Sequence, residues 1–246
     1  SYDRAGDSKM GTTAIGLNGS YTHQLTKSNF LTLGVQLQGS QRSFRTEDLR
    51  FDSQYNGETF DPNASNQEDF SNRSAFYGDF SGGINWRYDN PDSRTNVNIG
   101  AGWFHIYEPN ASCWDEPDIN LSQRFNAYFL SQFHLAEKFD LLVNALGRGQ
   151  GPSREYLIGA AGRIHIDQRP TKNLALDLGV AYRWNSSGFG DGDAIIPNIE
   201  FNIRDWMVGI SYDLNVSEFT TPSAGYGGPE IAVQYIFKPA PNVEFC

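Results

Sequence analysis

Every second residue over positions 174–184 is bulky: Leu174, Leu176, Leu178, Val180, Tyr182 and Trp184. Between them stand Ala175, Asp177, Gly179, Ala181 and Arg183. Successive side chains of an extended chain point to opposite faces, so this stretch has one oily face and one that carries a carboxylate and a guanidinium. The same period of two recurs and predicts about eleven strands, near residues 11–24, 29–43, 75–88, 95–107, 122–134, 138–146, 154–166, 173–184, 193–203, 205–214 and 229–238. No segment of comparable length favours a helix.

The connections between these segments mostly alternate short and long. "TKS", "DNPDSR", "AEK", "QRPTK" and "RD" are short; the acidic stretch 45–74 and the stretch 108–120 are long. "GRGQGPSR", "NSSGFGDGD" and "VSEFTTPSAGYGG" fall among the longer set. Turns at one end and loops at the other are the pattern of an antiparallel transmembrane β-barrel, with turns in the periplasm and loops outside. If the last strand descends to the periplasm, the first visible strand descends too. An even-stranded barrel then needs about three strands upstream, or about 14 in all. The expected organisation is a barrel over residues 1–238, its N-terminal strands lying outside this sequence, and a periplasmic tail over 239–246.

Composition fits a barrel as readily as a soluble domain. Hydrophobic residues make up 39% of the 246 and aromatic residues 14%, with no run near the roughly 18 apolar residues a membrane helix needs. Strands of alternating character keep mean hydropathy low. A net charge of -10 with scattered Lys and Arg argues against a nucleic-acid partner. The opening "SYDRAGDSK" has neither the basic start nor the apolar core of a signal peptide.

Two media compete for the oily faces. In a soluble sandwich they meet across a core, which fits any single strand. The set as a whole favours lipid. Trp86, Tyr88, Tyr182, Trp184, Trp206, Tyr212, Tyr235 and Phe237 gather toward stripe ends, as aromatic girdles do. The opposite faces hold Asp79, Arg87, Arg124, Arg163, Asp177, Arg183 and Glu230, together with Gln36, Gln38, His165, Glu200 and Asp213, a polar lumen.

Six stretches add a resemblance. "DRAGDSKMGTTAIGLNGSYTHQL", "LTLGVQLQGSQRSF", "GAGWFHIYEPNAS", "LALDLGVAYRW", "WMVGISYDLNVSEF" and "GGPEIAVQYIF", in that order, resemble the PorP/SprF family, outer-membrane proteins of the type IX secretion system of Bacteroidetes. The resemblance implies an accessory role without catalysis: the barrel binds a secreted cargo, notably a gliding adhesin, through the cargo's C-terminal domain, and anchors it or assists its export. It also implies partners among other secretion and gliding components, including periplasmic lipoproteins. The surfaces expected to meet cargo are the long loops, with Asp48, Phe51, Tyr55 and Phe60 in the first and Trp114, Asp115 and Glu116 in the second. Against this stands the plain reading that long outer loops are merely solvated and variable.

Residues able to do chemistry are sparse. A Ser and His pair near the lipid boundary would suit a barrel lipase, yet no nucleophile elbow or fixed spacing supports one. By alternation His165 shares a face with Arg163 and His105 shares one with Trp103. "DGD" at 191–193 and "DEPD" at 115–118 offer oxygen ligands for Ca²⁺ but lack EF-hand spacing, and solvated turns fit them better. Cys113 and Cys246 are placed on opposite sides of the bilayer and match no zinc motif, so no metal or cofactor is expected. Two further function classes stay open: a diffusion pore or hydrophobic-solute transporter, and a soluble carbohydrate-binding or structural β-domain.

Overall fold

The computed structural model describes residues 1–6, 9–46, 49–65, 73–113, 119–169, 172–186, 194–216 and 226–237. The chain forms twelve strands in one antiparallel sheet whose spatial order follows the sequence. They are β1 (Tyr2–Ala5), β2 (Met10–Thr26), β3 (Asn29–Ser43), β4 (Ser74–Asp89), β5 (Asn96–Phe104) and β6 (Arg124–Ala136). β7 (Phe139–Gln150), β8 (Ser153–Asp167), β9 (Leu174–Ser186), β10 (Ala194–Ile203), β11 (Trp206–Asn215) and β12 (Tyr226–Tyr235) follow. Among the described residues no α-helix occurs, and none is long and apolar enough to cross a membrane.

Each of the eleven periodic segments is a strand, and the structure adds one. β1 pairs with the start of β2, Tyr2 opposite Thr13, and its four residues are too few for periodicity to register. A second correction concerns "GRGQGPSR", which reads as a loop. β7 runs to Gln150 and β8 begins at Ser153, so only Gly151 and Pro152 connect them. Gly151 takes a φ of 55°, a left-handed backbone that glycine adopts without steric cost.

By contact the chain divides into two compact units. One comprises Ser1–Tyr21, Gly34–Gly83 and Trp103–Gln123; the other comprises Thr22–Leu33, Ile84–Gly102 and Arg124–Cys246.

In the second unit the register aligns like with like. Leu141, Gly162, Leu178, Ile199, Ile210 and Ile231 form one row across β7–β12. Phe139, Ile164, Leu176, Phe201, Val208 and Val233 form another on the same face. These rows are turned away from the protein: Leu178 is 46% exposed, Ile210 52% and Ile231 71%. On the opposite face Asp140, Arg163, Asp177 and Glu200 stand in one row, and Asp177 is 3% exposed. Burying an aliphatic side chain is worth about 1.5–3 kcal/mol, so a water-soluble fold would have turned these rows inward. Here the polarity is reversed.

Aromatic rings close both ends of the apolar stripes. Tyr156 and Trp184 stack at 5.2 Å near the long loops. At the short-turn end, Trp206 packs on Tyr235 at 4.8 Å, Tyr235 meets Phe237 edge-on at 4.6 Å, and Trp86 stacks with Tyr88 at 6.5 Å.

Candidate functional site

Charges on the polar face of the second unit are tied together. Across the β8–β9 pair, Arg163 grips Asp177 with two nitrogens, Nε to Oδ1 at 2.8 Å and Nη2 to Oδ2 at 2.6 Å. Parallel bonds from a planar guanidinium are the strong form of this contact. Asn202, one strand further, donates to Asp177 and to Glu200, each at 3.1 Å.

Beside this pair Asp140 is wholly buried, at 0% exposure. Gln132 Nε2 donates to it at 2.6 Å, and Arg94 supplies Nε and Nη2 at 2.9 Å each. His134 Nδ1 and His165 Nε2 lie 3.0 and 2.8 Å from its two oxygens. A carboxylate only accepts, so the His165 contact places a proton on that Nε2, while His134 Nδ1 also lies 2.9 Å from Arg94 Nη2. Arg94 comes from the β4–β5 turn, and its Nη2 also donates to the carbonyls of Ala136 and Glu137 at 3.1 and 2.8 Å. The hydrogen bond to Asp140 holds the Arg94 guanidinium above its ordinary pKa, so it stays charged. One buried carboxylate thus fastens the β4–β5 turn to β6, β7 and β8.

Toward the long loops the ion pairs are more open. Arg183 meets Asp213 at 2.8 Å and Arg148 meets Glu155 at 2.7 Å. Arg124 begins β6, opposite Gln150. Glu230 lies opposite Ser211 and is exposed. Arg87 stands apart, 3.0 Å from Asp89 with its guanidinium 4.7 Å above the Phe30 ring.

In the first unit Asp79 accepts from His105 Nδ1 at 2.8 Å. Strict alternation places His105 with Trp103, but β5 ends at Phe104 and His105 takes a φ of 57°. That left-handed step turns the imidazole to the buried Asp79. Nearby, burial pushes the Tyr107 phenol up, and the Asp79 charge adds to the shift.

Residues 49–65 of the first long loop are folded. A 3₁₀ turn at Asp52–Gln54 is built around the buried Gln54, whose Oε1 accepts from the Phe51 N–H at 3.2 Å. Its Nε2 donates to the carbonyls of Pro62 and Ala64 at 3.3 and 3.2 Å. Tyr55 and Phe60 bridge to each other, and the Arg50 guanidinium lies 5.2 Å over the Phe60 ring. Tyr55 and Phe60 are exposed, and Phe51 is half-buried. Asp48, Trp114, Asp115 and Glu116 lie outside the described residues, as do the candidate calcium stretches 115–118 and 191–193 and Cys246. Cys113 is buried and free.

Of the lumen residues expected from sequence, Arg163 meets Asp177 in the row of Glu200 and Arg183 meets Asp213, while Asp79, Arg87, Arg124 and Glu230 each sit elsewhere. Arg94, Gln132, His134, Asp140 and Gln54 were missed. Asp140 and His134 carried a faint signal, polar residues at strand positions beside a turn; Arg94 and Gln54 sit in connections with no periodicity to read. Among the described residues no cluster of three or more His, Cys, Asp or Glu is arranged to hold a metal ion. The arrangement neutralises and positions charge.

The family model described as "Type IX secretion system membrane protein PorP/SprF" matches residues 1–235. No curated protein and no solved structure matches the chain.

Proposed function

The chain belongs to the PorP/SprF family of type IX secretion system membrane proteins, and from that premise we propose that it is an outer-membrane barrel holding a secreted polypeptide. Its oily face meets acyl chains, and its long loops and mouth bind the C-terminal domain of a cargo such as a gliding adhesin, during export or for retention at the surface. Other secretion components, periplasmic lipoproteins among them, are its expected neighbours.

The observation that supports this reading most is the reversed polarity of the sheet. Ile231, Val233 and Leu178 lie open while Asp140 and Asp177 are enclosed, the arrangement a strand adopts when lipid is on one side and water on the other. The folded first loop, which presents Tyr55 and Phe60 beside Arg50, supplies the aromatic and arginine side chains that dominate protein recognition. A polar face whose charges are paired, as Arg163 is with Asp177 and Arg94 with Asp140, suits a binding role.

The test is affinity purification of the tagged protein from its native outer membrane, followed by identification of what accompanies it. A large secreted protein that is lost when its C-terminal domain is deleted supports the proposal. Recovery of the barrel with no secreted protein overturns it.

A further inference from the structure

Resting on the cargo-holding reading, we propose that a pocket at the long-loop ends of β6–β9 binds a carboxylate carried on a polypeptide, through Arg124 and Arg148. The pocket is about 240 Å³ and is lined by these two arginines, Arg154, Gln150, Glu155 and Asn185 among others. Among the described lining residues two guanidiniums, Arg124 and Arg148, share the polar face with one carboxylate, Glu155, in a chain whose net charge is -10. The local sign is the reverse of the whole, which draws an anion to this spot.

The register explains the convergence. Arg124 pairs with Gln150 and Asn126 with Arg148, so the two arginines are diagonal neighbours on the polar face of the β6–β7 ladder. Arg148 pairs with Glu155, and Glu155 with Asn185. Arg154 anchors the rim instead, its Nη1 donating to the carbonyls of Gly151 and Ser153 at 2.6 and 2.9 Å. Glu155 shows how a carboxylate docks, since it lies 2.7 Å from Arg148 Nη2. Yet Arg148 remains 54% exposed beside it, with N–H groups to spare for a second carboxylate.

Size and direction select the ligand. The volume suits an acidic side chain on its stem and excludes a folded domain. Arg124, Arg148, Glu155 and Asn185 lie on the face opposite Tyr156 and Trp184 by alternation along β6–β9, so the two binding arginines turn away from the lipid side and its phosphates, while Arg154 shares the face of Tyr156. Guanidinium forks match the planar carboxylate.

Calorimetric titration of the full chain, purified in detergent at low ionic strength, tests this with three probes: a capped triglutamate peptide, its triglutamine counterpart and inorganic phosphate. Triglutamate is expected to saturate one site, with triglutamine at least about 10-fold weaker. R124Q and R148Q each weaken triglutamate about 10-fold, and E155Q, which removes the internal competitor, tightens it severalfold. R169Q, in the β8–β9 turn, leaves the affinity unchanged. Equal binding of the two peptides, indifference to R148Q, or phosphate binding tighter than triglutamate overturns the proposal. If the peptides fail while a cargo still accompanies the barrel from membranes, the pocket is refuted and the cargo-holding function stands; the reverse pair of results refutes only the function.

Discussion

Arg163 and Asp177 face each other directly across the β8–β9 ladder and are joined by two hydrogen bonds of 2.8 and 2.6 Å. Asp177 is nearly enclosed, with its side chain 4% exposed, so its charge depends on this partner. R163Q leaves that carboxylate with Asn202 alone and is expected to cost about 3 kcal/mol, whereas R163Q/D177N recovers more than half of the loss. Urea unfolding in detergent micelles, followed by tryptophan fluorescence, measures both; an additive double mutant contradicts the pairing.

Asp140 is the anchor for a turn as well as for its neighbours. D140N retains the shape but removes the charge that Arg94, His134 and His165 share. The expected loss is about 3 kcal/mol. Amide exchange at residues 136–138 and in the 90–95 turn should accelerate in both D140N and R94A, because Arg94 ties the two turns. Unchanged exchange in R94A contradicts the anchoring role.

The exposed apolar rows make a depth-dependent prediction. L178R places a cation in the row of Leu141, Ile199, Ile210 and Ile231 and is expected to destabilise by about 2–4 kcal/mol. Brominated acyl chains in reconstituted vesicles should quench the fluorescence of Trp184 and Trp206, which close opposite ends of the stripes. The quenching is not expected of a protein whose oily face is packed on protein, where an arginine would also destabilise.

The first loop should be separable from the sheet. Q54A removes the three hydrogen bonds that organise residues 51–64, so protease cleavage within 49–65 is expected to quicken while urea stability of the sheet is unchanged. Y55A/F60A keeps the loop folded and lowers recovery of cargo by at least about fivefold, as loss of aromatic anchors does. Undiminished recovery moves the cargo contact off this loop.

Alternation along the chain determined the strands, the two faces they carry and the short turns at one end, as β9 illustrates from Leu174 to Trp184. Side-chain direction in extended backbone has a period of two and needs no knowledge of a partner strand, which is why eleven segments were legible. It failed where that period stops. His105 turned to Asp79 through a left-handed residue, and β1 is too short to show a period at all. Which charges meet was decided only in three dimensions: Asp140 is 46 residues from Arg94 and 25 from His165, and only the register of the sheet brings those side chains within hydrogen-bond distance. Shifting one strand by a single residue would preserve much of the alternation along the chain and destroy every one of these contacts.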